Sequence, residues 1–411
     1  MKKKRKGVRT VVALVCIFVI VGGCYGALAV GKALALRKNY FGTPSTEVFD
    51  ETKVYADPNT FVIVEKDPDK EFVVLNITDT HLSDYDYRLF TGELALRDVK
   101  RLVKEVKPDL ITLSGDLVCA DSEYNSVRKL TETMNSFRIP WAPVFGNHDG
   151  EAKNIDKDYL AEVMIGDGYN PSKGNYCLMR KGPKNLGDKE DENDKRLGNY
   201  VILVKEKGSN KVVHSFFMMD TGRTQLTDTQ VAWYSQNVGT LQRYYGDVKS
   251  TLVIHIPLAQ YYYAYMEGYD TEKKEWISAY KDRGAYGDCY EDVCCNKSKF
   301  STLSEMVKSD EYRTVREYNG NRFNTRKYEE YFLKNGVPKE DGMFVAIKSF
   351  DSTKTVVCGH DHLNCFYTPY DGVDLVYSLK NGMGSGYKVG RNGGTVLTIT
   401  EGKAKVDYYY L

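Results

Sequence analysis

Between residues 72 and 145, short apolar runs alternate with amphipathic stretches, and this order constrains the fold more than any other feature of the chain. Residues 72–77, 110–113 and 141–145 form three apolar runs, each shorter than a typical helix. The stretches between them carry apolar residues at helical spacing, namely Val99, Leu102, Val103 and Val106 in the first and Val127, Leu130, Met134 and Phe137 in the second. Such a strand–helix–strand–helix–strand order predicts a parallel sheet with helices packed against it.

The rest of the chain continues this mixed pattern with further strands. The turn residues Gly208-Ser209-Asn210 separate apolar runs at 200–204 and 212–219, which predicts a hairpin. Other predicted elements are a helix with Val231, Tyr234, Val238 and Leu241 on one stripe, and strands at 251–256, 355–358, 375–378, 395–400 and 404–410. Residues from about 265 to 339 are rich in tyrosine and charge but weakly periodic, which favours a surface insertion with some helix.

Five of the six histidines directly follow, or lie within a few residues of, the C-terminal end of a predicted strand. They occur with carboxylates and amides in the groups Asp79-Thr80-His81, Gly115-Asp116, Gly146-Asn147-His148-Asp149, His255-Ile256-Pro257 and Gly359-His360-Asp361-His362. The carboxyl ends of strands are where open α/β sheets bind ligands. Imidazole, carboxylate and amide oxygen together suit Mn, Fe or Zn, so these groups predict a metal site. His214 lies inside an alternating strand, and a packing role is expected for it.

These groups resemble the pattern of the calcineurin-like metallophosphoesterase superfamily, which is D-x-H, GD, GNH-D/E, a lone H and GH-x-H. Further stretches resemble its purple-acid-phosphatase-related branch, notably Gly198-Asn199-Tyr200 and His255-Ile256-Pro257. The resemblance implies an α/β fold over residues 71–411, a four-layer sandwich of two mixed β-sheets flanked by helices. One position departs from the purple acid phosphatases, because Cys119 stands where they carry a metal-binding tyrosine. A coloured tyrosinate–iron site is therefore not expected.

The resemblance also implies a role for each residue of the pattern. Two divalent metal ions, Mn, Fe or Zn, would be bound, one by Asp79, His81 and His362 and the other by Asn147, His255 and His360. Asp116 would bridge them. Two cations can clamp the attacking and leaving oxygens of a displacement at phosphorus and supply a bridging hydroxide. His148 would protonate the leaving oxygen or stabilise charge, and Asp149 would orient its ring.

This interpretation predicts a metal-dependent phosphoric ester hydrolase acting on a phosphate-ester substrate, with monoester and diester substrates both open. The insertion at 265–339 is expected to cover the site and to decide between them. A non-catalytic metal-binding or interaction module on the same fold is the alternative, and its signature would be lost ligands. A nucleotidase-type hydrolase is disfavoured because only about fifty residues follow His362, too few for a separate recognition domain. Nothing in the near-neutral net charge of +1 suggests nucleic-acid binding.

The N-terminal 38 residues differ sharply from the rest in charge. They hold nine basic residues and no acidic one, which leaves a net charge of −8 for the remainder. Residues 10–31 are uncharged and long enough to span a bilayer, and the preceding basic cluster predicts a cytoplasmic N-terminus. We therefore expect a single-pass membrane anchor or signal at 1–38, a tether and first strand at 39–70, and a catalytic domain outside the cytoplasm. Lipid anchoring at Cys24, or cleavage and secretion, are the alternatives.

Seven cysteines lie beyond the predicted anchor: Cys119, Cys177, Cys289, Cys294, Cys295, Cys358 and Cys365. An exported domain permits disulfides, although an odd count leaves at least one thiol unpaired. Cys289 could pair with Cys294 or Cys295, and Cys358 could pair with Cys365. Buried free thiols at Cys119 and Cys358 are an equally good reading.

Overall fold

The computed structural model describes residues 60–84, 86–119, 123–153, 155–184, 186–187, 194–293, 295–320, 322–383, 385–400 and 403–411. The predicted anchor or signal at 1–38 and the tether up to residue 59 lie outside the described residues. Among the residues that are described, no helix is both long enough and apolar enough to cross a membrane.

The smaller of the two main sheets has five strands and contains the alternating segment that begins at residue 72. Its elements are β2 (Phe72–Ile77), α1 (Asp86–Val106), β3 (Leu110–Ser114), α2 (Tyr124–Ser136), β4 (Trp141–Val144), β16 (Gly393–Thr400) and β17 (Lys403–Tyr410), with α3 (Lys157–Ile165) following β4. The strand order is β17-β16-β2-β3-β4. β2, β3 and β4 are parallel, as predicted, and β16 pairs antiparallel with β2.

The larger sheet has eight strands and is also mixed. Its elements are β1 (Phe61–Lys66), β5 (Tyr200–Glu206), β6 (Val212–Met218), β7 (Ser250–Val253), β10 (Tyr286–Asp288), β13 (Thr353–Cys358), β14 (Cys365–Tyr370) and β15 (Val373–Tyr377). The strand order is β1-β5-β6-β7-β13-β15-β14-β10. The predicted hairpin is confirmed, because β5 and β6 pair antiparallel around the turn at Gly208.

Side chains of β5 show how the layers stack. Val201 and Leu203 lie in an apolar cluster with the helices α4 (Asp228–Tyr245) and α10 (Met343–Phe350). Tyr200, Ile202 and Val204 lie in a second cluster with residues of β2, β3 and β4. Strand side chains alternate between faces, so the larger sheet packs helices on one face and the smaller sheet on the other. The second cluster also includes apolar residues of α1 and α2, which completes the predicted helix–sheet–sheet–helix order.

The region predicted as a surface insertion contributes to the core more than its sequence suggested. It contains the end of α5 (Ala259–Gly268), then β8 (Tyr269–Asp270), β9 (Glu275–Trp276), α6 (Ser278–Lys281), β10, β11 (Lys297–Ser298), α7 (Leu303–Met306), α8 (Asp310–Asn319), α9 (Arg326–Asn335) and β12 (Val337–Pro338). Trp276, Met306 and Phe332 are almost fully buried in the same cluster as β5 and α4. Tyr261, Tyr262 and Tyr263 of α5 are buried with them, so that tyrosine run is core.

The suggested disulfides are absent where the structure describes both partners. Cys358 and Cys365 are buried free thiols, so no bond braces the turn at Gly359. Cys289 is likewise a buried free thiol, which excludes its pairing with Cys295. Cys294 lies outside the described residues. The buried-thiol reading is therefore correct for Cys358.

Candidate metal centre

The predicted site residues lie on loops at the carboxyl ends of strands from both sheets. Asp79 and His81 follow β2, Asp116 follows β3, and Asn147 and His148 follow β4 in the smaller sheet. His255 follows β7, and His360 and His362 follow β13 in the larger sheet. Stacking the two sheets with these ends together brings residues separated by up to 283 positions into one cluster.

Asp79, His81, Asp116 and His362 form the first donor set, with one donor atom from each within 4.8 Å of the others. His81 Nε2 lies 2.9 Å from His362 Nε2 and 3.5 Å from Asp116 Oδ2. His362 Nε2 lies 3.5 Å from Asp79 Oδ1. Two imidazole nitrogens and two carboxylates therefore face the same small volume.

Asp116, His255 and His360 form the second set, again within 4.8 Å of one another. His255 Nε2 lies 3.2 Å from Asp116 Oδ2 and 3.2 Å from Asn147 Oδ1. His255 Nδ1 lies 2.8 Å from the carbonyl oxygen of Ser114, which accepts a hydrogen bond from it. That bond leaves Nε2 as the nitrogen able to bind a cation.

The chemistry of the two sets fits a pair of divalent cations. Asp79 Oδ1 is buried and accepts no hydrogen bond from any described residue, which is costly unless another group approaches it. Asp116 Oδ2 belongs to both sets and lies between His81 and His255. A carboxylate in that position can bridge two ions, and the nitrogen and oxygen donors suit Mn, Fe or Zn.

Backbone strain is concentrated at the donor residues. Asp79, His81, Asp116 and His360 all have positive φ angles, of 56°, 45°, 50° and 89°. Residues other than glycine rarely adopt this conformation, and such strain clusters at functional sites. All four residues lie in the loops that directly follow β2, β3 and β13, so the strained backbone coincides with the donor positions.

Glycines allow these loops to approach each other closely. A Cβ at Gly146 would lie 2.1 Å from Asp116 Oδ1, and one at Gly359 would lie 2.0 Å from Thr78 Oγ1. At Gly115 it would lie 2.5 Å from the ring of His255. These contacts are closer than any carbon can tolerate, so the motif glycines are required by packing at the site itself.

Burial and mutual charge shift the pKa values of the donors. Burial lowers the pKa of His81 and of His360 to about 4, which keeps both rings neutral and able to bind a cation. Burial acts the same way on His255, but the carboxylate of Asp116 outweighs it and raises the pKa of that ring to about 9. The Asp79 carboxyl is desolvated too, yet the His362 and His81 rings hold its pKa well below the usual range.

His148 and Asp149 were both predicted as catalytic residues, and the structure separates them. The His148 side chain is 45% exposed, and its Nδ1 lies 2.8 Å from Glu151 Oε2. Its backbone N–H donates to Asp116 Oδ1 over 2.9 Å, which ties the backbone of His148 to the donor cluster. The predicted orientation of this ring by Asp149 is wrong, because Glu151 occupies that position.

Asp149 has a structural function instead. It is buried, and its two oxygens accept hydrogen bonds from the backbone N–H groups of Leu117, Val118 and Gly146. These bonds hold the loop after β4 against the loop after β3. Asp149 therefore fixes the backbone of the two loops that carry Asn147 and Asp116.

His214 packs in the sheet as predicted. It is buried on β6, where its Nε2 lies 2.9 Å from Thr251 Oγ1, and it belongs to neither donor set.

Lys380 is a residue of the site that its sequence context does not indicate. It follows β15, is 1% exposed, and its Nζ donates to the carbonyl oxygen of Asp79 over 2.6 Å. Burial lowers the pKa of this ammonium to about 8, although Asp79 and Asp116 oppose the shift. The bond holds Asp79 in its left-handed conformation. Lysine is not a metal ligand in the recognised pattern, and no feature of the local sequence indicates its burial.

Comparisons with known proteins identify the family and several distant relatives of this chain. The family model described as calcineurin-like phosphoesterase matches residues 72–364, which include every residue of both donor sets. An uncharacterised protein of Schizosaccharomyces pombe is 22% identical over 274 residues, covering 63% of this chain and 49% of that protein. The probable inactive purple acid phosphatase 28 of Arabidopsis thaliana is 22% identical over 227 residues, covering 47% of this chain and 55% of that protein.

The chain thus spans about half the length of the curated relatives it matches. Among solved structures, a dimetal phosphatase from Danio rerio aligns with a TM-score of 0.41 and 10% identity, covering 82% of this chain and 95% of that one. The family match extends over most of the chain and carries the assignment. The protein belongs to the calcineurin-like phosphoesterase family.

Proposed function

We propose that this protein hydrolyses phosphate esters with two divalent metal ions bound at the ends of the two sheets. The observation that carries the proposal is the position of Asp116 Oδ2, 3.5 Å from His81 Nε2 and 3.2 Å from His255 Nε2. One carboxylate shared between two complete donor sets is what a dinuclear site requires.

A different set of residues would hold each ion. Asp79, His81 and His362 would hold one ion, Asn147, His255 and His360 would hold the other, and Asp116 would serve both. When bound, the two ions supply Lewis acidity toward the phosphoryl oxygens and acidify a water nucleophile. The backbone N–H of His360 donates to Asp79 Oδ2 over 3.2 Å, so a residue of the second donor set fixes a donor of the first.

His148 acts on the substrate rather than on the ions. Because Glu151 contacts Nδ1, the other ring nitrogen, Nε2, is the one that can donate a proton to the leaving oxygen. The ring is half exposed, and its centroid lies 5.4 Å from that of His81. It is thus next to the first donor set yet reachable from solvent.

The protein is proposed to act outside the cytoplasm, attached to the cell membrane by residues 1–38. The flanked uncharged run at 10–31 supports this proposal, and lipid anchoring and secretion remain its alternatives. Protease treatment of intact cells tests it, since the folded domain should be degraded or released while cytoplasmic markers survive. Protection of the domain in intact cells would contradict export.

The experiment that tests the activity uses protein loaded with Mn²⁺ and matched pairs of phosphomonoester and phosphodiester substrates. We expect metal-dependent hydrolysis of at least one type, and the ratio of rates identifies the ester class. Two bound ions without hydrolysis of either substrate would instead identify a metal-binding interaction module.

A further inference from the structure

Three segments form the rim of the metal centre beside His362. The backbone N–H of Leu363 donates to Glu291 Oε1 over 3.1 Å, and that of Tyr290 donates to Asn364 Oδ1 over 3.0 Å. A Cβ at Gly386 would lie 3.1 Å from His362 Nδ1, so the loop after β15 reaches the same ligand. Tyr290 and residues 386–391 therefore lie at one edge of the site.

Three cationic side chains converge on the Tyr290 ring. Lys388 Nζ lies 3.3 Å from the ring centroid, Arg391 Cζ lies 4.7 Å from it, and Lys274 Nζ lies 5.9 Å from it. Arg391 Nη2 also donates to the Tyr290 hydroxyl over 2.8 Å. We call these four residues the Tyr290 cluster.

The positive charge of the Tyr290 cluster is only partly neutralised. Arg391 forms an ion pair with Asp288. Lys274 and Lys388 are exposed, and neither forms an ion pair with a carboxylate of the described residues. Tyr290 is half-buried, while both lysines are exposed. A cation–π contact of an exposed cation contributes only about 0.5–1 kcal/mol, so the ring does not neutralise the two lysine charges, and they remain available to an anion. Basic side chains grouped beside a catalytic centre also attract anionic substrates.

We propose that the Tyr290 cluster binds a second phosphate group of a substrate whose first phosphate is hydrolysed at the metal centre. The inference rests on the proposed function and narrows it to esters that carry at least two phosphate groups. Lys274 and Lys388 pair with the phosphate oxygens, while Arg391 and Asp288 fix the ring.

The test compares two series of substrates on Mn²⁺-loaded protein, the bisphosphates of alkane-1,n-diols and the matching ω-hydroxyalkyl monophosphates. Varying the chain from three to eight carbons samples the separation of the two phosphates. A bisphosphate carries two equivalent phosphate esters, so its kcat/KM should be twice that of the monophosphate on statistical grounds alone. At the best chain length we expect a further increase of about three- to tenfold, which is what two exposed ion pairs allow. The difference should appear in KM and decrease with added salt.

The variant Lys274→Gln/Lys388→Gln should reduce this ratio to about the statistical factor. The control Lys107→Gln/Lys207→Gln removes two exposed lysines from the opposite ends of the strands and should keep the wild-type ratio. The inference is overturned if the wild-type ratio of kcat/KM for bisphosphate to monophosphate is only about two at every chain length. It is also overturned if this ratio does not decrease in the Lys274/Lys388 variant.

The proposed function can fail separately. If no ester is hydrolysed, calorimetric titration with alkane-1,n-bisphosphonates and ω-hydroxyalkylphosphonates still compares the two ligand classes. Tighter bisphosphonate binding that is lost in the Lys274/Lys388 variant supports the Tyr290 cluster without any catalysis. Equal affinities for the two classes reject it.

Discussion

At the scale of single residues, His148 shows how one side chain can serve the reaction without holding a metal ion. The variant His148→Gln should keep both ions, since this ring belongs to neither donor set. Loss of a general acid typically costs about 10²–10⁴-fold in rate, and the cost is largest when the leaving group is poor. We therefore expect kcat to fall by about a hundredfold or more for alkyl phosphates and by much less for 4-nitrophenyl phosphate.

Metal analysis of the purified His148 variant provides the control for this prediction. Glu151→Gln should give a smaller loss with the same leaving-group trend, because it removes only the partner of Nδ1. Equal losses for both leaving groups, or loss of metal from the His148 variant, would exclude the general-acid role.

Glu123 carries a buried carboxyl near the site that makes the stability of the protein depend on pH. It is fully buried, and its Oε2 accepts from the backbone N–H of Gly150 over 3.2 Å. Burial, assisted by the charges of Asp149 and Glu151, raises the pKa of Glu123 to about 9 from its ordinary 4.5. Between these pH values the folded protein holds a proton that the unfolded chain releases, so this group's contribution to stability decreases as pH rises, by up to about 1.4 kcal/mol per pH unit.

The variant Glu123→Gln cannot ionise and should escape this loss. Urea unfolding of the variant and the wild type at pH 5, 7 and 9 measures the difference at each pH. We expect the stability of the variant relative to wild type to rise by a few kcal/mol between pH 5 and pH 9. A difference that stays constant over this range would show that Glu123 is ionised in the folded protein.

Individual residues also show which parts of the metal centre can be predicted from the sequence. The donors were found because each stands in a short motif at a strand end, where residue type and position together indicate metal binding. Glu151 and Lys380 were missed because neither type is specific to such a site, and their roles depend on side-chain direction and burial. Asp149 was given the wrong role since adjacency in sequence to His148 does not imply contact between the two side chains.

At the scale of elements, the loop after β4 must pass against Asp116 without a side chain at Gly146. In Gly146→Ala the new Cβ would lie 2.1 Å from Asp116 Oδ1 and 2.4 Å from Asp116 N, so the shared carboxylate must move. We expect loss of bound metal, loss of turnover, and a decrease of about 1–3 kcal/mol in the free energy of unfolding. Metal analysis and urea unfolding check these outcomes.

A glycine away from the site, Gly239, serves as the control that separates a local clash from a general effect of replacing glycine by alanine. Gly239 lies within α4, where an added Cβ would meet only the Phe350 ring, at 3.6 Å. Gly239→Ala should leave metal content unchanged and increase stability by about 0.5–1 kcal/mol, since alanine favours helix. Full metal occupancy in Gly146→Ala would contradict the proposed closeness of the two loops.

The sequence predicted strand boundaries well inside the sheets but less well next to the metal centre, where the chain leaves a strand to place a donor residue. Residues 251–256 were predicted as one strand, but β7 ends at Val253. Ile254 and Ile256 are still buried, so they read as strand residues although the chain has left the sheet to place His255. The insertion was misread as surface for a related reason, because its buried aromatics are scattered without a helical or strand period.

At the scale of the whole molecule, the layer order came from the alternating segment and the family resemblance, while the pairing of the two sheets at the site came only from the structure. β14 was not predicted at all, and it joins the edge strand β10 of the insertion to the main sheet. The insertion thus extends the larger sheet and brings Tyr290 beside the loop that carries His362. Long-range contacts of this kind leave no local signature in one sequence.

Metal binding should also stabilise the whole domain, because the donors come from both sheets and exist as a site only when the sheets are stacked. At a free concentration of about a hundred times Kd, each ion adds about 2.7 kcal/mol to the free energy of unfolding. For a domain of about 350 residues this corresponds to a rise in Tm of roughly 4 °C per ion. Chelation with EDTA should reverse the rise.

Asp116→Ala should abolish most of this Mn²⁺-induced rise, since its carboxylate serves both donor sets, and turnover should fall with it. The control Asp310→Ala removes an exposed carboxylate on α8 and should keep the full rise. Thermal unfolding across a Mn²⁺ titration, with metal content measured in parallel, tests both variants. A rise in Asp116→Ala equal to that of the wild type would show that the ions bind elsewhere, and the dinuclear site at the sheet ends would be rejected.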